Sequence, residues 1–107
     1  MGIGREQRIR DGAEFRRVLR TGRRLDGPLF VLYVRRSAGP NARLGFAVGR
    51  RLGGAVRRNR VKRLLRAAFA EAARALAPAD LVVVPKAEIV GHGAGKIGAE
   101  LKRRIES

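Results

Sequence analysis

The first apolar pattern along the chain has the period of a helix. Three apolar residues are spaced at i, i+3 and i+4: Phe15, Val18 and Leu19. Asp11 followed three residues later by Glu14 is the pattern of a capping box, which starts a helix, and Gly22 suits the C-terminal cap. This pattern predicts a short first helix, preceded over residues 1–10 by a basic arm that we expect to be flexible.

The next segments have the composition of strands separated by turns. Asp-Gly-Pro at 26–28 is a sequence typical of a turn, and a short strand is expected before it at 23–25. The β-branched and aromatic residues of LFVLYVRR, 29–36, predict a second strand. RLGFAVG, 43–49, predicts a third strand, which we expect to be the antiparallel partner of the second.

Alternation along the two longer strands assigns their side chains to two faces. One face is apolar throughout: Phe30, Leu32, Val34, Leu44, Phe46 and Val48. The other face combines small residues with a tyrosine and arginines: Val31, Tyr33, Arg35, Arg43, Gly45, Ala47 and Gly49. The first face predicts a core, and the second predicts a shallow basic surface unless a helix covers it.

A long amphipathic helix is predicted from about Gly54 to Leu76, where Pro78 ends it. Its apolar side contains seven residues: Val61, Leu64, Leu65, Ala68, Phe69, Ala72 and Leu76. Its opposite side is polar and basic: Asn59, Arg63, Arg66 and Arg74, flanked by Arg60 and Lys62. One side therefore suits the core, and the other suits an anion.

The last part of the chain predicts one strand and one helix. DLVVVP, 80–85, is an apolar run typical of a strand buried on both faces, and GHGAG, 91–95, is expected to be a loop. The final helix has three apolar residues at i, i+4 and i+8: Ile97, Leu101 and Ile105. Its basic residues at 102–104 are expected to point outward. The predicted order is α-β-β-β-α-β-α, a single α+β domain over residues 1–107 with a mixed four-stranded sheet and a crossover helix.

The balance of basic and acidic residues indicates a polyanionic partner. The chain has 25 Lys and Arg against 9 Asp and Glu, a net charge of +16. Self-repulsion of that size destabilises a compact state, and an anion would relieve it. Of the 25 cations, 21 are arginine, whose planar fork binds two phosphate oxygens and stacks on bases. Nucleic acid, an anionic membrane surface and an acidic protein are candidate partners, although an arginine- and alanine-rich genome would give the same composition.

The sequence lacks the residues that several classes of protein need for their function. The absence of cysteine excludes disulfides and thiolate metal sites. MGIGREQRIRDG has no apolar run of a signal peptide, and no segment approaches the roughly 20 apolar residues of a membrane span, so we expect a soluble cytoplasmic protein. His92, the only histidine, lies between two glycines, and the nine acids show no catalytic or metal-ligating spacing. We expect no chemistry from the protein alone.

GRRLGG, 49–54, lies just before the long helix and resembles the start of a phosphate-binding loop. Ala55 and Val56 stand where that pattern requires Lys and Ser or Thr, so nucleotide hydrolysis is not predicted. Glycines at a helix N-terminus expose N–H groups suited to a phosphate, but they also simply turn the chain. Both interpretations stay open at this point.

The strongest motif is VRRNRVKRLLRAAF, 56–69, which places one asparagine among six cationic side chains. The cations supply charge for phosphates, and the asparagine amide supplies specific hydrogen bonds. The wider segment RLGFAVGRRLGGAVRRNRVKRLLRAAF, 43–69, closely resembles the signature region of the protein component of bacterial ribonuclease P. The resemblance extends to EFRRVLRTGRR, GPLFVLYV and DLVVVP, and so covers nearly the whole chain.

This resemblance implies a basic protein that works with a catalytic RNA. In the family the RNA carries the active site and most of the Mg²⁺, and it removes the 5′ leader of precursor tRNA. The resemblance implies that seven residues bind the catalytic RNA: Arg57, Arg58, Asn59, Arg60, Lys62, Arg63 and Arg66. It implies that seven others bind the leader, in a cleft between the first helix and the sheet: Phe15, Leu19, Tyr33, Arg35, Arg43, Arg50 and Arg51. One protein per RNA and a left-handed crossover through the long helix are also implied.

Three positions depart from the family's usual residues. Leu19 replaces a common second aromatic residue of the first helix, which removes one stacking surface. Arg50-Arg51 replaces a pair of lysines and keeps the charge. Gly54 replaces a common asparagine in the turn before the long helix.

Other functions share part of these features. A general RNA-binding or ribosome-associated protein would share the charge, but it would need neither the aromatic cleft nor the Arg-Asn-Arg motif. A membrane-active cationic protein fits less well, because the basic helix has no Trp and its apolar side continues into a predicted core. A self-sufficient nuclease would need metal-binding carboxylates, which the sequence does not group.

Overall fold

The computed structural model describes residues 8–9, 11–37, 39–73 and 76–106, and these form helical layers on both faces of one four-stranded sheet. The helices are α1 (Gly12–Thr21), α2 (Ala55–Ala72) and α3 (Ala94–Glu106). The strands are β1 (Arg23–Asp26), β2 (Phe30–Arg36), β3 (Arg43–Phe46) and β4 (Ala79–Pro85). This order confirms the predicted α-β-β-β-α-β-α arrangement of an α+β domain.

Most of the basic arm predicted over residues 1–10 lies outside the described residues. Within it, Arg8 forms a parallel bridge to Leu44, and the Ile9 N–H donates to the Leu44 carbonyl at 3.0 Å. These two residues therefore lie along β3.

The strand pairing differs from the sequence prediction. The sheet order is β1-β2-β4-β3, so β4 lies between β2 and β3, antiparallel to the first and parallel to the second. The prediction that β3 is the antiparallel partner of β2 is wrong. The central position buries both faces of β4, whose Leu81, Val82 and Val83 are at most 1% exposed. Strand β3 also ends at Phe46 and gives way to a 3-10 turn at Arg50–Leu52, earlier than the predicted end at residue 49.

The apolar face of the sheet packs against α2 and α3. The core includes the predicted strand residues Phe30, Leu32 and Leu44, each at most 2% exposed. The predicted core residues of α2 and α3 are buried as well: Val61, Leu65, Ala68, Phe69, Ala72, Ile97 and Leu101. Others pack at its margin: Val34, Phe46, Val48, Leu64, Leu76 and Ile105. Arg74, predicted on the opposite side of α2, lies outside the described residues.

Helix α1 packs on the opposite face of the sheet, against β2 and β4. The Asp11 carboxylate caps it by accepting a hydrogen bond from the Ala13 N–H at 2.8 Å. At its other end a Cβ on Gly22 would lie 2.5 Å from the Val18 carbonyl oxygen, although the φ of Gly22 is an ordinary −73°. Glycine is therefore needed here for the close approach of the chain and not for a left-handed backbone.

Strands β3 and β4 are parallel neighbours joined through α2, so the predicted crossover helix is present. Its left-handedness stays a prediction from the resemblance. Helix α3 begins at Ala94, so the predicted loop over residues 91–95 is confirmed only as far as residue 93.

Candidate nucleic-acid interface

The outer side of α2 presents cations at the start of the helix. Four of its polar residues are exposed and two are half-buried: Arg57, Asn59, Arg60 and Arg63, then Arg58 and Lys62. The first turn contains no acidic residue, and the N-cap Gly54 makes no side-chain cap. Free N–H groups at a helix N-terminus add partial positive charge to these cations. We call this surface, residues 57–60, 62 and 63, the basic face of α2.

Arg58 is half-buried on this face. Its Nε atom is buried and has no hydrogen-bond partner in the part of the chain that the structure describes. A buried donor without a partner costs about 1–3 kcal/mol.

Arg66 lies apart from the basic face of α2. Its guanidinium carbon lies 5.5 Å from the centroid of the Phe46 ring, a cation–π contact. It also lines a cavity of about 170 Å³ together with Arg8, Phe15 and Gly45. The structure thus groups Arg66 with an aromatic residue of α1, whereas the sequence grouped it with the other cations of α2.

Phe15 of α1 packs over Gly45 of β3. A Cβ built on Gly45 would lie 2.9 Å from two carbons of the Phe15 ring. Gly45, Val82 and Tyr33 are register partners across β3, β4 and β2, so they share one face. Val82 is fully buried there, but Tyr33 is half-buried. We call this surface, formed by Phe15, Leu19, Tyr33 and Gly45, the α1 cleft.

The α1 cleft is partly covered and partly open. Val18 and Val82 are at most 1% exposed on this face, whereas Val31 and Val84 remain half-buried near Tyr33, and Ala47 is half-buried just past the end of β3. Tyr33 is two strands from Gly45, roughly 10 Å at the spacing of neighbouring strands. The cavity that Phe15 lines with Gly45 does not include Tyr33, so the two rings form separate contact points on the same surface.

Replacing Gly45 by alanine should destabilise the fold by about 1–3 kcal/mol, because the new methyl group overlaps the Phe15 ring. Thermal unfolding measures this loss. Gly49→Ala is the matched control, since nothing lies within 4 Å of a Cβ at that position. Equal effects of the two substitutions would contradict the contact between Phe15 and β3.

Arg43 is bound to two carboxylates of its own chain. Its Nε and Nη2 donate to the two carboxylate oxygens of Asp80 at 2.8 and 2.9 Å, and its Nη1 lies 2.9 Å from Oε2 of Glu14. Asp80 is 5% exposed and is the register partner of Arg43. The hydrogen bonds to Asp80, above all, raise the pKa of Arg43 further above its usual value, so it stays charged. This arrangement, the Arg43 bridge, joins α1 to β3 and β4.

The remaining predicted cations lie at other edges of the sheet. Arg50 and Arg51 are exposed on the 3-10 turn between β3 and α2, where the buried Leu52 anchors the turn. Gly53 follows with a φ of +114°, and its N–H donates to the Arg50 carbonyl at 3.0 Å. This glycine is therefore required by the turn itself. Arg35 lies at the end of β2 beside the Arg43 bridge.

Sequence reasoning gave Glu14 only a capping role and gave Asp80 no role, although both carboxylates bind Arg43. Asp80 carried a signal, because an acidic residue that opens a strand buried on both faces needs a cationic partner. It also missed Arg17 and Arg36, which carried no sequence signal that sets them apart from the other arginines.

In the part of the chain that the structure describes, no group of three His, Cys, Asp or Glu could hold a metal ion. None of the described helices is long and apolar enough to cross a membrane.

The fold and these surfaces define a small arginine-rich α+β domain of the kind that suits a polyanionic partner. The family model described as Ribonuclease P matches residues 3–106, nearly the whole chain. The chain therefore belongs to the ribonuclease P protein family, as its sequence predicted.

Relatives and solved structures agree with this assignment. The chain is 45% identical over 84 residues to the ribonuclease P protein component of Shouchella clausii, covering 77% of this chain and 69% of the relative. It is 35% identical over 103 residues to that of Thioalkalivibrio sulfidiphilus, covering 95% and 86%. Its fold is similar to the RNase P protein of Staphylococcus aureus, with a TM-score of 0.80, 27% identity and coverage of 94% and 93%. The RNase P protein of Thermotoga maritima gives a TM-score of 0.79 at 27% identity, covering 90% and 92%.

Proposed function

We propose that this chain is the protein subunit of a ribonuclease P in which an RNA removes the 5′ leader of precursor tRNA. The basic face of α2 carries the proposal. It holds the Arg-Asn-Arg of residues 58–60, the motif on which the family resemblance rests, on a helix whose first turn contains no acid. Such a face suits the phosphates of a large folded RNA.

The proposal gives the two surfaces different partners. The basic face of α2 binds the catalytic RNA. The α1 cleft binds the unpaired leader, with Phe15 and Tyr33 as stacking rings, and Leu19 adds apolar surface without a ring. Arg50 and Arg51, on the exposed turn between β3 and α2, contribute phosphate contacts to the leader. In this assignment Arg43 acts through its bridge to Asp80, because its guanidinium group already faces two carboxylates.

Catalysis in the proposed complex comes from the RNA. Mg²⁺ held mainly by the RNA would supply the activated nucleophile and stabilise the leaving oxygen. The protein's residues bind, orient and neutralise charge, so that the substrate is held at a lower salt and metal concentration. In this proposal one protein binds each catalytic RNA, and the complex acts in the cytoplasm.

Reconstitution tests this function. The purified protein, free of RNA and nucleases, should not cleave precursor tRNA at any Mg²⁺ concentration. Adding the ribonuclease P RNA of the same organism should give cleavage at the mature 5′ end, at a lower Mg²⁺ concentration than the RNA needs alone. Gel analysis of labelled precursor tRNA measures both arms.

Two outcomes would contradict the proposal. Cleavage at the mature 5′ end by the protein alone would show that the protein carries its own active site. Binding of many RNAs without any stimulation of the catalytic RNA would identify a general RNA-binding or ribosome-associated protein instead.

A further inference from the structure

A second basic cavity lies on the side of α1 that faces away from Phe15. At about 100° per residue, Glu14 and Arg17 flank one side of the helix and Phe15 and Leu19 flank the other, with Val18 between them against the sheet. The cavity has a volume of about 480 Å³ and lies where β2 ends and β4 begins. The two carboxylates bound to Arg43, those of Glu14 and Asp80, line the cavity. Six further lining residues bear on what it could bind: Arg17, Arg35, Arg36, Ser37, Asn41 and Arg43. We call it the arginine cavity.

Only one of the four arginines in this cavity has a carboxylate partner among the described residues. Arg43 is held by the bridge to Asp80 and Glu14. Neither Arg17 nor Arg36 nor Arg35 forms an ion pair within the part of the chain that the structure describes. Four arginines against two carboxylates leave the lining of this concave surface with a net positive charge, which a bound anion would neutralise.

The uncharged groups of the cavity suit an anion as well. Ser37 Oγ accepts a hydrogen bond from the Gly39 N–H at 3.1 Å, which leaves the hydroxyl hydrogen free to donate. The Asn41 side chain adds an amide donor. No aromatic residue is among the described residues that line the cavity. It therefore lacks the ring on which an unpaired base would stack, and its contacts go to phosphate and sugar.

We propose that the arginine cavity binds the phosphodiester backbone of an RNA strand, at a site separate from the α1 cleft. The proposal rests on the function proposed above and adds a further RNA contact to it. Arg17, Arg35 and Arg36 bind phosphate oxygens, while the Arg43 bridge holds the helix and strands that shape the cavity. Because the contacts are to the backbone, binding there is independent of base sequence. The strand comes either from the leader or from the catalytic RNA, which share this chemistry.

Salt dependence of binding in the reconstituted complex tests the site. Arg17→Gln with Arg36→Gln removes two exposed cations that have no ion pair in the described structure. Two affinities are measured over a series of KCl concentrations: the assembled complex for precursor tRNA with a long leader, and the protein for the catalytic RNA. The slope of log K against log salt should fall by about 1.4 to 1.8 in one of these arms, since each lost phosphate contact removes roughly 0.7 to 0.9. The arm that changes identifies the source of the strand.

The matched control is Lys96→Gln with Lys102→Gln, which removes the same charge from exposed positions of α3 that form no ion pair in the described structure. Its slope should stay near that of the unaltered protein in both arms. Equal slopes for the two double variants would overturn the proposal. They would show that the change in slope comes from the net charge of the protein and not from the position of the removed cations. A change that depends on the base sequence of the strand would also overturn it. If the first double variant is destabilised, Arg36→Gln alone should give half of the change.

The function proposed above fails in a different way. If it is wrong, the unaltered protein neither stimulates the catalytic RNA nor gives the leader-dependent affinity that the double variant is compared with. If only the arginine cavity is wrong, the unaltered protein does both, and the double variant behaves as the α3 control does.

Discussion

Replacing Arg43 by methionine should destabilise the fold by about 2–4 kcal/mol and lower the melting temperature by roughly 10–25 °C. The substitution leaves the Asp80 carboxylate buried at 5% exposure without the cation that binds both of its oxygens. Breaking a fully buried pair costs about 3–5 kcal/mol, and the lower figure here reflects the 27% exposure of the Arg43 side chain. Methionine keeps the aliphatic part of the side chain, so the loss reports the charge. Calorimetry at constant salt measures it.

Two further variants show which arm of the Arg43 bridge carries the stability. Glu14→Gln removes the arm whose side chain is 40% exposed, and it should cost less than about 1 kcal/mol. Arg43→Met combined with Asp80→Leu removes both partners of the buried arm, and it should regain most of the loss because no unpaired charge stays inside. If Arg43→Met costs no more than Glu14→Gln, Arg43 is a surface cation and returns to the set of direct leader contacts.

The parts of the fold that depend on local periods were predictable from the sequence. The helical spacing of Phe15, Val18 and Leu19 and the alternation along β2 are properties of neighbouring residues, and they gave α1 and the two sheet faces correctly. Strand pairing depends on residues that are far apart in the chain. Strand β3 was predicted to pair with β2 because it comes next in the sequence. Strand β4 has the more apolar run, however, and it lies between β2 and β3 in the sheet.

The candidate site shows the same division. The basic face of α2 was predictable, since its exposure follows from the period of one helix. The place of Arg43 and Arg66 was not, because each is fixed by a residue on another element. Arg43 meets Asp80 at a separation of 37 residues, and Arg66 meets the ring of Phe46 across the gap between α2 and β3. A sequence shows that a cation is present, but the packing decides whether its charge is free for a ligand.

The distribution of free and paired charge indicates how the protein tolerates its net charge of +16. Among the described residues, the two carboxylates of the Arg43 bridge line the arginine cavity together with its four guanidinium groups. The carboxylates Asp26 and Glu100 lie near Lys86 and near Arg103 and Arg104, away from the first turn of α2. Acids thus stabilise the sheet and α3, whereas the first turn of α2 keeps its charge uncompensated.

Tyr33→Ala should weaken the affinity of the assembled complex for precursor tRNA by roughly 5- to 150-fold, since stacking of an unpaired base is worth about 1–3 kcal/mol. Tyr33 is half-buried on the open part of the α1 cleft, so its ring is accessible to a leader nucleotide. Its loss should leave the affinity for mature tRNA and the assembly with the catalytic RNA nearly unchanged. Arg60→Ala, on the basic face of α2, should do the reverse and weaken assembly. Equilibrium binding of labelled precursor and mature tRNA, and of the protein to the RNA, measures each effect.

Leader length and ring chemistry are the controls for Tyr33. With a leader of one or two nucleotides the penalty of Tyr33→Ala should shrink, because the strand no longer reaches the cleft. Tyr33→Phe keeps the ring and should retain most of the affinity, which separates stacking from a hydrogen bond of the hydroxyl group. Thermal unfolding of both variants reports any loss of packing against Val82, the register partner of Tyr33 on β4. If Tyr33→Ala weakens mature and precursor tRNA equally, this tyrosine only supports the sheet, and the leader binds elsewhere.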